Sequence, residues 1–207
     1  LSPFLPTTDV VAIAACIEAT IPFRGRSPEG LTASEVLQQH IEELNQDWHL
    51  GWTLEELYEV VNRTMARGGN VIIPTFAVER AQEVLYYLRE GVENGQLRHY
   101  VNVFLDSPMA ISATEIFGRH PECYDAEVAD MFRDGHDPFG LPGLHFTRET
   151  AESMALNQIT SGAVILAGSG MCTGGRVVHH LRHNLGRRES SVVFVGYAAH
   201  GTLARRI

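Results

Sequence analysis

At 207 residues and 44% hydrophobic content, the chain can bury a proper core, as one large domain or a small pair. Its 16 Lys and Arg against 25 Asp and Glu leave a formal charge of −9. That excludes a general polyanion binder and confines any nucleic-acid contact to a few Arg side chains and backbone amides. No apolar run reaches the roughly eighteen residues of a membrane span, no basic-then-apolar leader pattern is present, and three scattered cysteines (Cys16, Cys123, Cys172) read as free thiols in a reducing, cytoplasmic setting.

Residues 10–17 (VVAIAACI) form a continuous apolar run, the signature of a buried parallel strand, closed by Glu18. Residues 22–30 are punctuated by Pro and Gly and read as a loop. Helical spacing follows over 33–46 through Val36, Leu37, Ile41 and Leu44, with Thr32 or Ser34 as cap. Thr53 with Glu56 three residues on is a capping box, opening a second helix that Gly68 and Gly69 stop. Residues 70–74 (NVIIP) predict the second strand, and 78–92 a helix through Ala81, Val84, Leu85 and Leu88. Residues 101–105 predict a third strand, ending at Asp106. Pro108 then suits the first position of a helix running to Phe117. A short helix is expected over 124–132, a loop over 134–143 and a short strand over 144–146. A helix over 150–157 has Thr147 as its candidate cap. Residues 163–167 and 190–195 predict two more buried strands, with a helix over 176–185 between them.

Strands that are solid Val/Ile/Leu runs, alternating with helices, predict an α/β fold: three layers, a mainly parallel sheet and helices on both faces, Rossmann-like in arrangement. Such sheets bind ligands beyond the carboxyl ends of their strands. The residues falling there are Glu18; Thr75, Phe76 and Arg80; Asp106, Ser107 and Met109; Ser169, Gly170 and Met171; and Gly196 with Tyr197.

The stretch VILAGSGMCTGGR (164–176) is the most pointed of these. An apolar strand breaks at Gly168, and Gly168, Gly170, Gly174 and Gly175 fall within eight residues before the next helix. Glycines let backbone N–H groups approach a ligand closely, and a helix start favours negative charge. The spacing fits neither nucleotide fingerprint: the third Gly of GxGxxG is missing and no Gly-Lys-Ser/Thr follows. An anion cradle and a plain turn both remain open on the residues. A nucleotide cofactor would need an acid about twenty residues past the loop. Glu189 comes too early, and no Asp or Glu follows it.

Four blocks then carry a resemblance: NVIIPTFAVERAQEVLYYL (70–88), VFLDSPMA (103–110), VILAGSGMCTGGRVVHHLRHNL (164–185) and VVFVGYAAHGTLARRI (192–207). In order, spacing and wording they resemble the β-CASP domain of the RNA-processing branch of the metallo-β-lactamase superfamily. This is the branch of the cleavage and polyadenylation endonuclease and its bacterial and archaeal ribonuclease relatives. The resemblance covers residues 60–207 well, 1–20 more loosely and 25–58 hardly at all.

It implies a cap domain inserted in a metallo-β-lactamase domain whose His-x-His-x-Asp-His cluster and further ligands hold two zinc ions. No HxHxDH occurs in this chain, which also opens on Leu rather than Met. The expected organisation is therefore residues 1–24 as a segment leaving that metal domain and 25–207 as the β-CASP domain, with 25–58 an atypical helical element carrying Trp48 and Trp52. In Cys16-Ile17-Glu18-Ala19-Thr20 the resemblance makes Glu18 a supporting acid of the catalytic site. Ile21-Pro22-Phe23 stands where the family has Tyr-Gly. A carboxylate there can orient a metal-ligating histidine.

The same resemblance turns the strand-end loops toward RNA. Ser169, Gly170, Met171, Gly174, Gly175 and Arg176, with Thr75, Phe76 and Arg80, become candidate RNA or phosphate contacts. Asp106 and Ser107 either line that cleft or cap the helix at Pro108. The structural alternatives are helix–sheet packing for Gly174 and Gly175 and an ion pair with Glu79 or Glu83 for Arg80. His179 and His183 stand at i and i+4, a zinc-capable spacing, without an acidic or cysteine partner, so no metal ligand is assigned in this chain.

The function implied is the substrate-binding cap of a zinc-dependent RNA phosphodiesterase, a hydrolase of RNA processing or decay. It would be inactive as this fragment and bind no zinc of its own. The alternative is a standalone RNA- or nucleotide-binding module. Expected partners are RNA and the metallo-β-lactamase domain in cis, no membrane, with a homo-oligomer left open.

Overall fold

The computed structural model describes residues 9–13, 54–97, 101–124, 126–196 and 198–207. The helix expected over 33–46, both tryptophans, Thr53, Glu18 and Tyr197 lie outside them.

The strands are β1 (Asp9–Ile13), β2 (Val71–Pro74), β3 (Asn102–Asp106), β4 (Leu144–Phe146), β5 (Ala163–Ala167) and β6 (Ser191–Val195). The helices are α1 (Leu54–Ala66), α2 (Arg80–Glu93), α3 (Pro108–Phe117), α4 (Ala126–Arg133), α5 (Thr150–Leu156), α6 (Val177–Asn184) and α7 (Leu203–Arg206). A 3₁₀ turn spans Pro121–Cys123. The six strands form one sheet in the order β1-β6-β2-β5-β3-β4, and every pairing is parallel.

The strand order decides where the helices go. From β2 the chain steps in one direction along the sheet to β3 and β4, then returns to β5 and on to β6. Right-handed crossovers place helices of the outward run on one face and those of the return on the other. The two cores follow that division. Alternate strand residues Val71, Ile73, Val103, Leu105, Val164 and Leu166 pack with α1, α2 and α3 through Val61, Leu85, Leu88 and Ile111. The intervening residues Ile72, Ala163, Ile165, Val192 and Phe194 pack with Leu156, Val177 and Leu181 of α5 and α6. Both faces of the sheet are thus covered, which explains the unbroken apolar runs.

Register fixes the geometry of the carboxyl edge. Ala167 lies opposite both Pro74 and Asp106, and Leu105 lies opposite Phe146. The chains leaving β2, β3, β4 and β5 therefore emerge abreast.

Boundaries differ from expectation in instructive places. Asp106 is the last residue of β3 rather than the first beyond it. α2 starts at Arg80, after Glu79 turns the chain with φ 70°. Thr147 does not cap α5. Glu152 does that work, its side chain accepting the amides of Arg148 and Glu149 at 2.9 Å each, while Thr147 turns inward. The short α7 carries no apolar periodicity long enough to predict it; Thr202 caps it.

Candidate nucleic-acid interface

Asp106 is the centre of the carboxyl edge. Its side chain is fully buried and accepts four hydrogen bonds. Oδ1 receives Thr147 Oγ1 at 2.7 Å and Arg176 Nη1 at 2.8 Å. Oδ2 receives Ser153 Oγ at 2.6 Å and the Nε2–H of His180 at 2.6 Å. A buried carboxylate is costly unless paired and hydrogen-bonded. Burial alone would raise its pKa. The bonds from His180, Ser153 and Thr147 outweigh burial and hold the carboxyl at about 2. His180 is itself fully buried, with Nδ1 3.1 Å from the Asn157 side-chain amide.

Arg176 belongs to this hub. Nη1 also donates to Thr147 O at 2.9 Å, and Nη2 to Arg148 O at 2.7 Å. The guanidinium thus ties the start of α6 to β3 and to the chain leaving β4. About a fifth of the side chain is exposed. The residue read from sequence as a phosphate contact is, in geometry, first a strut for the loop.

The glycine loop leaves β5 at Gly168 and returns over it. Ser169 N and Oγ both donate to Gly174 O at 3.3 Å, Cys172 N to Ser169 O at 3.0 Å, and Val177 N to Gly168 O at 3.0 Å. Gly175 has φ +75°, and a Cβ there would stand 2.4 Å from Gly168 O, so this position requires glycine. Gly174 has open space around it. Among the described residues the amides of Gly170, Met171, Thr173, Gly174 and Gly175 have no backbone or side-chain acceptor. Cys172 lies buried beneath the loop, where burial pushes its thiol up to about 11; it is packing, not a nucleophile.

The β2 end flanks this loop. Thr75 is buried, with no partner for Oγ1 among the described residues. Phe76 is half exposed and lies against Gly170. Arg80 pairs with Glu83 at 2.5 Å and reaches over Gly196, where a Cβ would sit 3.6 Å from Arg80 Nε. Burial pushes Glu83 up to about 7 against the pull of Arg80. Ser107 caps α3, accepting Ala110 N at 3.3 Å, and still lies beside Gly168. The structure thus gathers Thr75, Phe76, Asp106, Ser107, Ser169, Gly170 and Arg176 at one edge. Met109 is exposed there as well.

Sequence reasoning missed His180, Thr147, Ser153 and Asn157. One signal was available: an Asp closing the apolar run Val103-Phe104-Leu105 must be buried and needs partners. Which partners answer, up to 74 positions away, only the fold decides.

The Beta-Casp domain profile matches residues 81–207. The chain belongs to the β-CASP family. Ribonuclease TTHA0252 of Thermus thermophilus is 42% identical over 155 residues, covering 75% of this chain and 35% of that protein. Transcription termination factor FttA of Methanocaldococcus jannaschii is 39% identical over 153 residues, 73% of this chain and 24% of that protein. FttA of Methanothermobacter thermautotrophicus is 36% identical over 156 residues, 74% and 24%. The chain therefore spans between a quarter and about a third of the length of these relatives.

The described residues of this β-CASP domain do not fit a metal. No group of three His, Cys, Asp or Glu converges among them. Asp106 and His180, the one close acid–imidazole pair in the described interior, are saturated by Thr147, Ser153, Arg176 and Asn157. His183 Nδ1 turns back to His179 O at 2.8 Å. Among the described residues no helix of the domain is long and apolar enough to cross a membrane.

Proposed function

We propose that this β-CASP domain is the substrate-binding cap of a zinc-dependent RNA phosphodiesterase acting in RNA processing or decay in the cytoplasm. RNA is its polymer ligand, and zinc is held by a metallo-β-lactamase domain in cis, with Glu18 supporting that site. Two relatives bear on it by name, one a ribonuclease and one a transcription termination factor.

The observation that carries the reading is the glycine loop. It offers a run of amides without acceptors among the described residues, at a sheet edge where α/β folds bind ligands. Amides at a helix start suit phosphate oxygens, and backbone contacts position a polymer without reading its sequence. The −9 charge is compatible with this because the contact is local.

The domain itself supplies binding and orientation and no metal, so it is inactive alone. The test is the purified chain with zinc and end-labelled RNA. No chelator-sensitive cleavage is expected, and such cleavage would overturn the cap assignment. Filter binding of the same RNA should weaken linearly in log–log form as salt rises. Absence of binding at low salt would remove RNA as the ligand.

A further inference from the structure

We propose that Phe76 is a base-stacking platform, so that the RNA held at this edge is unpaired where it crosses β2 and the glycine loop. The inference rests on the phosphate reading of the loop and adds the residue that receives a base.

Phe76 sits just beyond the carboxyl end of β2, the strand next to β5. Its ring is fixed from below. A Cβ on Gly170 would meet ring carbons at 2.9, 3.0 and 3.2 Å, so the ring rests directly on the Gly170 backbone. Gly170 has no positive φ; what it supplies is room. Phe76 is nevertheless 49% exposed. An aromatic ring seated on backbone and half exposed is poor packing and a good stacking surface.

Its neighbours decide what stacks there. The backbone under the ring is the same loop whose amides, from Gly170 to Gly175, include five that lack acceptors among the described residues. A nucleotide pairs a phosphate with a planar base. Phosphate on the amides brings the attached base to the ring. Aromatic stacking tolerates every base and is the usual device of single-strand binding, whereas paired bases keep their faces inside the helix. Val78 and Met109 are exposed as well, but an apolar partner would leave the amides beside the ring without acceptors, whereas a nucleotide serves both.

The experiment uses single-stranded RNA carrying a fluorescent adenine analogue, titrated onto the chain at low salt, with circular dichroism on each variant. Binding should quench the analogue. Phe76→Ala and Phe76→Leu should each weaken binding roughly tenfold and remove the quench, with helical signal unchanged, while Phe76→Trp should bind at least as well as wild type. Gly170→Ala, which displaces the ring without removing it, should behave like Phe76→Leu. The same RNA annealed to its complement should bind more weakly and without dependence on Phe76. If wild type binds RNA in a salt-dependent way and Phe76→Leu matches it, the platform is wrong and the phosphate reading stands. If Phe76→Ala changes only self-association, Phe76 is a protein contact and the platform is likewise wrong. If wild type binds no RNA, both fall.

Discussion

The two edges of the sheet are both held by buried polar networks, yet they differ in kind. At the amino edge Asn70 donates to Ile159 O at 2.7 Å and to Asn184 Oδ1 at 3.3 Å, and accepts Ala163 N at 3.2 Å. Ser190 joins Asn184 at 3.1 Å, Thr64 meets Ser191 at 2.7 Å, and Arg67 spans Glu189 O and Ser191 Oγ. The inner groups are neutral and turned to one another. At the carboxyl edge a charged hub on Asp106 supports a loop in which five amides have no acceptor among the described residues, with Phe76 and Met109 exposed beside it. Helix α6 joins the two, with His180 in the hub and Asn184 one turn on in the amino-edge network. One edge closes on itself; the other leaves five amides without acceptors among the described residues and two large apolar side chains exposed.

The comparison breaks most readily at Gly69. A Cβ there would stand 1.8 Å from Glu189 O, backbone against backbone. Gly69→Ala should cost more than about 4 kcal/mol, visible as a large drop in urea midpoint. The RNA affinity of the molecules still folded should be unchanged. A specific loss of affinity at intact stability would mean that the amino edge takes part in binding.

Asp106 tests the other side. Asp106→Ala leaves the Arg176 guanidinium and His180 facing a void and should cost about 3–5 kcal/mol. Asp106→Asn keeps the shape and should cost less. The pH dependence separates charge from shape. The folded carboxyl titrates at about 2 against an ordinary 3.8, so its contribution, about 2 kcal/mol, is present above 3.8 and lost as pH falls toward 2. Acid unfolding of Asp106→Asn should be flatter over that window than that of wild type. Equal acid limbs would show that the hub is not held by this charge.

How far the sequence carries this can be seen at particular residues. The runs VIIP and AVILA declare buried strands because both faces of the sheet are covered, and Ser107 before Pro108 declares a helix start because cap and proline act locally. The glycine loop is visible for the same reason: its geometry is written within eight residues. The hub is not. Arg176 reads as a free cation beside a phosphate loop, whereas in the fold Asp106, 70 positions upstream, already holds it. Thr147 reads as a cap, until Glu152 takes both amides. Partner choice across the sheet depends on strand order, and no local pattern encodes the order β2-β5-β3-β4.

Ser107 gives the smallest effect and the sharpest division between support and contact. Its Oγ accepts Ala110 N at a long 3.3 Å, so Ser107→Ala should cost only about 0.5–1 kcal/mol. Ser107→Asp keeps the cap and places a negative charge at the start of α3, where the helix dipole favours it, so stability should return. Gly168 stands against the same hydroxyl: a Cβ on it would lie 3.9 Å from Ser107 Oγ. A carboxylate at that point would repel a phosphate held on the neighbouring amides. Ser107→Ala should therefore bind RNA about as well as wild type, and Ser107→Asp should be stable yet bind more weakly, most clearly at low salt. If Ser107→Asp binds RNA as wild type does, the side chain is a cap alone and the RNA path runs past Phe76 without crossing the end of β3.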